Sequence, residues 1–136
     1  MLCWIEVDLD AVADNVRALQ AAAQPRHGVT AVVKAQAYGM GAAAVADAAV
    51  KAGARGAAVA RISEARRLRG AGFSAPILLL GGLDPDDDAE VIKAHLTPTL
   101  TDWATAQRLA AAAETSGCIV DVQVKIDTGM TRYGAP

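Results

Sequence analysis

Thr30-Ala-Val-Val-Lys-Ala-Gln-Ala-Tyr-Gly-Met-Gly41 is the stretch from which the fold of this chain can be read. A short apolar run stops at one amine, Lys34. A phenol, Tyr38, and two glycines, Gly39 and Gly41, follow at once, and an Ala-rich helical pattern comes next. In parallel α/β folds the reactive groups stand at the carboxyl ends of strands, so a strand that stops at a lysine and turns through glycines into a helix is a candidate active-site frame. Val124-Lys-Ile-Asp-Thr-Gly-Met-Thr-Arg-Tyr-Gly134, near the other end, has the same layout.

Working outward, Trp4 to Asp8 alternates like a short strand. Asp8 or Asp10 then caps a helix carrying Val12, Val16 and Leu19 at helical spacing. Gln24-Pro25-Arg-His27-Gly28 has turn chemistry, and Val29 to Lys34 reads as the first buried strand. The pattern continues with a helix from Ala42 to Ala52 closed by Gly53, a strand from Ala57 to Ala60, and a helix from Ser63 to Ala71 ended by Gly72. Next come the strand Pro76 to Leu80, the turn Gly81-Gly82 and a helix opened by Asp84 and Pro85 that runs to Ala94. A weaker strand, Thr97 to Leu100, leads to a long helix capped by Asp102 and ended by Gly117. Cys118 to Ile126 reads as a strong strand.

Strands and helices therefore alternate with a period of roughly 20 to 25 residues, which predicts βα units around a parallel sheet. Crossovers between parallel strands are right-handed, so all strand-to-helix loops fall on one rim. Lys34 and the loop from Lys125 to Arg132 are expected to share it. A closed (β/α)8 barrel takes about 250 residues. The fold class expected for residues 1–136 is α/β: a single domain forming the first half, about five βα units, of a (β/α)8 TIM-type barrel, incomplete as given. The alternative is a small doubly wound parallel α/β domain.

The 136 residues are 53% hydrophobic but only 4% aromatic, so Ala, Val and Leu must fill the core. A net charge of -2 gives no electrostatic reason to expect a nucleic acid or an anionic membrane as partner. Glu6, Asp8 and Asp10 interrupt the N-terminal apolar residues too early for a signal peptide. No apolar run approaches the roughly 20 residues of a membrane helix, and the expected location is cytoplasmic. Cys3 and Cys118 lie far apart without metal-ligand spacing and read as free thiols of a reducing compartment.

Several motifs have plainer explanations. Gly39-Met-Gly41-Ala-Ala-Ala44 formally fits a dinucleotide fingerprint, but there the first glycine follows the strand almost directly. Here Lys34 to Tyr38 intervene, and the second strand ends at Arg61 instead of an acid. The acidic run Asp84, Asp86, Asp88 lacks the glycine and glutamate of a calcium loop, and Pro85 with acids in a first helical turn accounts for it. No metal site is expected. Arg61, Arg66, Arg67 and Arg69, with Glu64, read as a solvated helix face. Met130 reads as packing, and Lys125 and Asp127 alone would be ordinary strand-end charges. His27 and His95 have no partner that the sequence can name.

Taken together, the segments Ala31-Val-Val-Lys-Ala-Gln-Ala-Tyr-Gly-Met-Gly41 and Lys125-Ile-Asp-Thr-Gly-Met-Thr-Arg-Tyr-Gly134 resemble the cofactor-lysine and DTGM segments of alanine racemase, in the family's order and approximate spacing. The resemblance runs from about Trp4 to Gly134. It implies that Lys34 carries pyridoxal 5'-phosphate (PLP) and serves as one catalytic base, and that Tyr38 hydrogen-bonds the cofactor phosphate. It also implies that Arg132 contacts the cofactor's phenolic oxygen and the substrate carboxylate, with Lys125 a possible carbamylated lysine that orients Arg132. The implied reaction interconverts L- and D-alanine through an α-carbanion, its product feeding peptidoglycan synthesis. The full-length family member is expected to be a homodimer.

In the family the later barrel loops and a C-terminal β-domain supply the rest of the site, including a tyrosine as second base, so the fragment alone is expected to be inactive. Gly39 and Gly41 are expected to allow a tight turn and close backbone approach, with the next helix presenting its N-terminus to an anion. Gln36 and Met40 depart from the family pattern, which usually has an acid or asparagine and a histidine there. The alternatives are another PLP-barrel racemase, a basic amino-acid decarboxylase, or a non-catalytic half-barrel assembly module.

Overall fold

The computed structural model describes residues 3–23 and 27–136. Residues 24–26 of the turn expected from Gln24 to Gly28 lie outside those residues. Five parallel strands form one sheet in the order β1-β2-β3-β4-β5: β1 (Thr30–Val32), β2 (Gly56–Val59), β3 (Ile77–Leu79), β4 (Leu96–Leu100) and β5 (Gln123–Val124). Helix α1 (Leu9–Ala22) precedes them. Between them run α2 (Lys34–Tyr38), α3 (Ala42–Lys51), α4 (Ile62–Gly70), α5 (Asp88–Lys93) and α6 (Trp103–Thr115), with a 3-10 turn at Pro85–Asp87 before α5.

The start signals act as the sequence suggested. The Asp8 carboxylate accepts from the backbone N–H groups of Asp10 and Ala11 at 2.9 and 3.0 Å, and Asp102 accepts from Thr105 at 2.8 Å. Each cap satisfies donors that a helix start otherwise leaves orphaned. At Asp84 the backbone N–H donates to Asp87 at 2.9 Å, with Pro85 in the first turn. That arrangement bears out the helix-start account of the acidic run.

Strand order decides between the two candidate architectures. A doubly wound sheet reverses its strand order and carries helices on both faces, whereas here the order follows the chain. Ala57 and Val59 of β2, Ile77 and Leu79 of β3, and Leu96 and Leu100 of β4 pack into one core with Val45, Ala46, Ala65, Leu68, Val91 and Leu109 of the helices. One sheet face therefore carries α3 to α6. The register aligns Val32 with Ala58, Ala58 with Leu78, Leu78 with Thr97, and Thr99 with Gln123 on the opposite face, as the twofold period of a strand requires. This is the winding of a barrel wall, and the doubly wound alternative is set aside.

Two strand expectations need correction. Residues 3–8 have no sheet partner among the described residues, with Trp4 and Ile5 80% and 78% exposed; alternation marked the segment as strand-like, but alternation cannot supply a neighbouring strand. The strong strand from Cys118 to Ile126 shrinks to Gln123–Val124 plus an isolated bridge from Ile126 to Ala135. Ile119 is almost fully exposed. β5 is the sheet edge, with a ladder on the β4 side, so β propensity there has little packing to act on.

Candidate active site at the carboxyl rim

Lys34 follows β1 after the single residue Val33, and Lys125 follows β5 directly. Because all strands run parallel, both stand at the carboxyl end of the sheet, the rim where barrel enzymes do their chemistry. Lys34 and Lys125 are each half-buried, while Tyr38 and Arg132 are exposed.

The backbone that leaves β1 is unusual. Ala35, Gln36, Ala37 and Tyr38 have φ of 50, 58, 53 and 58°, so α2 is a left-handed turn. For L-residues this costs about 1–2 kcal/mol each, or roughly 4–8 kcal/mol over four residues, which the surroundings must offset. The backbone N–H of Ala37 donates to the Val33 carbonyl at 2.9 Å, and that of Gly41 donates to the Gln36 carbonyl at 2.8 Å. Ala37 is buried. A longer-range support comes from α4: Glu64 Oε1 accepts from the Ala35 N–H at 2.6 Å, and its Oε2 accepts from Ala60 and Arg61 at 2.8 and 3.1 Å. Burial pushes the Glu64 carboxyl up, but these backbone donors and the charge of Arg61 outweigh it and hold the group below its ordinary range.

The tight turn expected of the two glycines is present, with both in positive-φ backbone. A Cβ added at Gly39 or Gly41 would meet nothing within 4 Å, but their φ values are +93 and +92°. They are needed for backbone conformation. At the start of α3 the Gln36 side chain reaches one backbone donor: its Oε1 accepts from the Ala42 N–H at 3.4 Å.

The second loop is organised by Asp127. Its Oδ1 accepts from the backbone N–H groups of Gly129 and Thr131 at 2.9 and 3.0 Å. These donors draw its pKa below the carboxylate range against a small opposing effect of burial, helped by the Met130 N–H and the Lys125 charge. The Asp127 N–H donates to the Ala135 carbonyl at 2.7 Å, and the Ala135 N–H to the Lys125 carbonyl at 2.9 Å. A Cβ on Gly134 would lie 2.7 Å from the Asp127 nitrogen, so the loop closes tightly and presents Arg132 on its outside. The Tyr133 ring comes within 4.0 Å of where a Gly82 Cβ would stand, so the loop leans back over the carboxyl end of β3.

Among the described residues, Thr99 Oγ1 is buried without a hydrogen-bond partner; it lies on the sheet face opposite the helices. A groove of about 640 Å³ lies elsewhere, along α6 and Cys118 to Val122, and includes none of Lys34, Tyr38, Lys125 and Arg132. It follows the exposed sheet edge, so the geometry of the rim is the better guide to chemistry.

Sequence reasoning missed two residues here. Arg69 is no solvated arginine: it donates to the carbonyls of Ala94, Phe73, Ala75 and His95 at 2.9, 2.8, 2.7 and 3.1 Å. Glu64 was grouped with that face although it reaches the Lys34 turn. A glutamate three residues into a helix is a capping signal that could have separated it from the arginines.

Five parallel strands in chain order, helices on one face and a lysine leaving the first strand define the class: the leading portion of an α/β barrel with a strand-end amine. The chain belongs to the alanine racemase N-terminal domain family, which it matches over residues 7–136. It is 42% identical over 131 residues to alanine racemase of Desulforamulus reducens, covering 96% of this chain and 35% of that relative. The corresponding figures for alanine racemase of Desulfosudis oleivorans are 45%, 131 residues, 96% and 34%. The crystal structure of alanine racemase from D-cycloserine-producing Streptomyces lavendulae matches with a TM-score of 0.88 at 38% identity, covering 96% of this chain and 34% of that one. The chain thus spans about a third of the length of these relatives.

Proposed function

We propose that this chain is the cofactor-lysine portion of a PLP-dependent alanine racemase, with Lys34 as the attachment point. The observation that supports this reading best is the position of Lys34: a half-buried amine at the carboxyl end of the first of five parallel strands, on a turn anchored from a neighbouring helix.

The donor set suits the cofactor. A primary amine can join an aldehyde, a phenol and exposed backbone near Gly39 can face a phosphate, and a guanidinium can take a phenolic oxygen or a carboxylate bidentately. When bound, PLP supplies an electron sink that makes the α-proton of an amino acid labile. Lys34 would hold the cofactor through its amine and would serve as a base that takes or returns the α-proton. Tyr38 donates to the phosphate, and Arg132 orients the alanine carboxylate. Lys125, beside the loop of Asp127, orients Arg132 as a carbamylated, anionic lysine.

Residues 1–136 on this reading form one barrel portion of a cytoplasmic, homodimeric enzyme. Its partner base and much of the phosphate site lie on the part of the relatives that this chain does not span. The test is to incubate the 136-residue chain with PLP and L-alanine and follow the enantiomer ratio. Little or no racemisation is expected; turnover at ordinary enzyme rates would overturn the division of the site.

A further inference from the structure

We propose that Glu64 is a positioning residue for Lys34, tethering the peptide unit that leaves the lysine to the start of α4; this rests on Lys34 being the cofactor lysine. The bond at 2.6 Å is to the N–H of Ala35, which belongs to the peptide joining Lys34 to Ala35. Fixing that plane fixes the backbone torsion on the carboxyl side of the lysine, and with it the direction in which the side chain leaves the sheet.

The two oxygens divide the work. Oε1 serves the turn, and Oε2 serves Ala60 and Arg61 at the end of β2. One carboxylate therefore joins the rims of the first two strands. The turn gives a reason for such a tether, because its four successive left-handed residues are alanine, glutamine, alanine and tyrosine, none with the freedom of glycine. Glu64 also lines a small cavity against the turn with Val33, Gln36, Ala42, Ala43, Arg67 and Leu68. With the bond removed, nothing on the α4 side is left to accept the Ala35 N–H, and the turn can relax toward right-handed backbone.

A merely structural role is separable. Glu64 also caps α4, whose N-cap residue is Arg61, so Glu64→Ala loses both cap and tether. Adding Arg61→Ser restores a cap acceptor but not the tether. The experiment compares the full chain, Glu64→Ala, Glu64→Gln and the Arg61→Ser, Glu64→Ala double variant. One readout is amide hydrogen exchange at Ala35. The other is the rate at which PLP, trapped by borohydride, labels Lys34.

Glu64→Ala should raise Ala35 exchange about tenfold, as loss of one charge-assisted hydrogen bond implies, and slow labelling of Lys34. Glu64→Gln, with one carbonyl oxygen left, should fall between. The double variant should recover melting temperature without recovering either readout. Recovery of both by the new cap, or exchange at Ala35 unchanged in Glu64→Ala, overturns the tether. Unchanged labelling alongside a loosened Ala35 overturns its role in positioning. Absence of any Lys34 label in the parent chain defeats the cofactor reading instead, and the exchange comparison then decides the tether alone.

Discussion

Replacing Arg69 with methionine should destabilise the chain severely without touching the rim of Lys34. The guanidinium gathers four carbonyls from two segments: Phe73 and Ala75 in the loop after α4, and Ala94 and His95 in the turn before β4. Phe73 and Ala94 belong to the core, whereas Ala75 is half-buried and His95 exposed. A buried acceptor left unpaired costs about 1–3 kcal/mol, and one that water can reach costs much less. Two acceptors of each kind give a loss of roughly 2–6 kcal/mol, or about 8–24 °C in melting temperature for a domain of this size. Burial lowers the Arg69 pKa, yet the guanidinium stays charged and each bond stays charge-assisted. Lysine cannot span four acceptors, so Arg69→Lys should recover less than half of the loss. The assay is thermal and urea unfolding of the three proteins. A loss below about 1 kcal/mol, or full rescue by lysine, would refute the clamp.

Gly39→Ala should cost about 1–2 kcal/mol through backbone conformation alone, since the added methyl meets open space; urea unfolding measures it, and a neutral result would mean that the turn is not held at φ +93°. Asp88→Ala should cost about 1–3 kcal/mol: it removes a nearly buried partner of Arg108, whose Nε and one NH2 group donate to the two Asp88 oxygens at 2.7 and 3.2 Å. The same scans check that loss, and replacing Arg108 as well should recover part of it. Acid should act through Glu64, Asp102 and Asp127, all held below their ordinary values. A depressed carboxylate contributes stability that is complete above its unfolded pKa and is lost as pH falls through the folded one. Unfolding free energy should therefore be flat from neutral pH to about 5 and decline below about 4. A decline beginning near pH 6 would contradict this account.

The period of strands and helices was legible because each βα unit carries its own local signals: an apolar run, a cap such as Asp102, and a closing glycine such as Gly53 or Gly117. Strand order was not legible in the alternation alone, because both architectures share it; the register from Thr30 to Val124 decides it. At the site, Lys34 stood out as a cation ending an apolar run, and Arg132 through its motif. The left-handed turn did not, because Ala35 and Ala37 carry no preference for it. It depends on a carboxylate 29 residues away, which no local window contains. Arg69 was misread for the same reason, since a charged residue among other charges on a helix looks solvated until its acceptors are known. The residues from Cys118 to Val122 have strand propensity but lack the packing that would express it.

The claim on which the rest depends is that Lys34 is the amine that takes the cofactor. Adding PLP, reducing with borohydride and mapping the label by peptide mass spectrometry tests it most directly. The label should fall on the peptide containing Lys34, with an absorbance band near the visible edge before reduction, and both should vanish in Lys34→Ala. Label shared evenly with the exposed Lys51 and Lys93, or a band that survives Lys34→Ala, would contradict it.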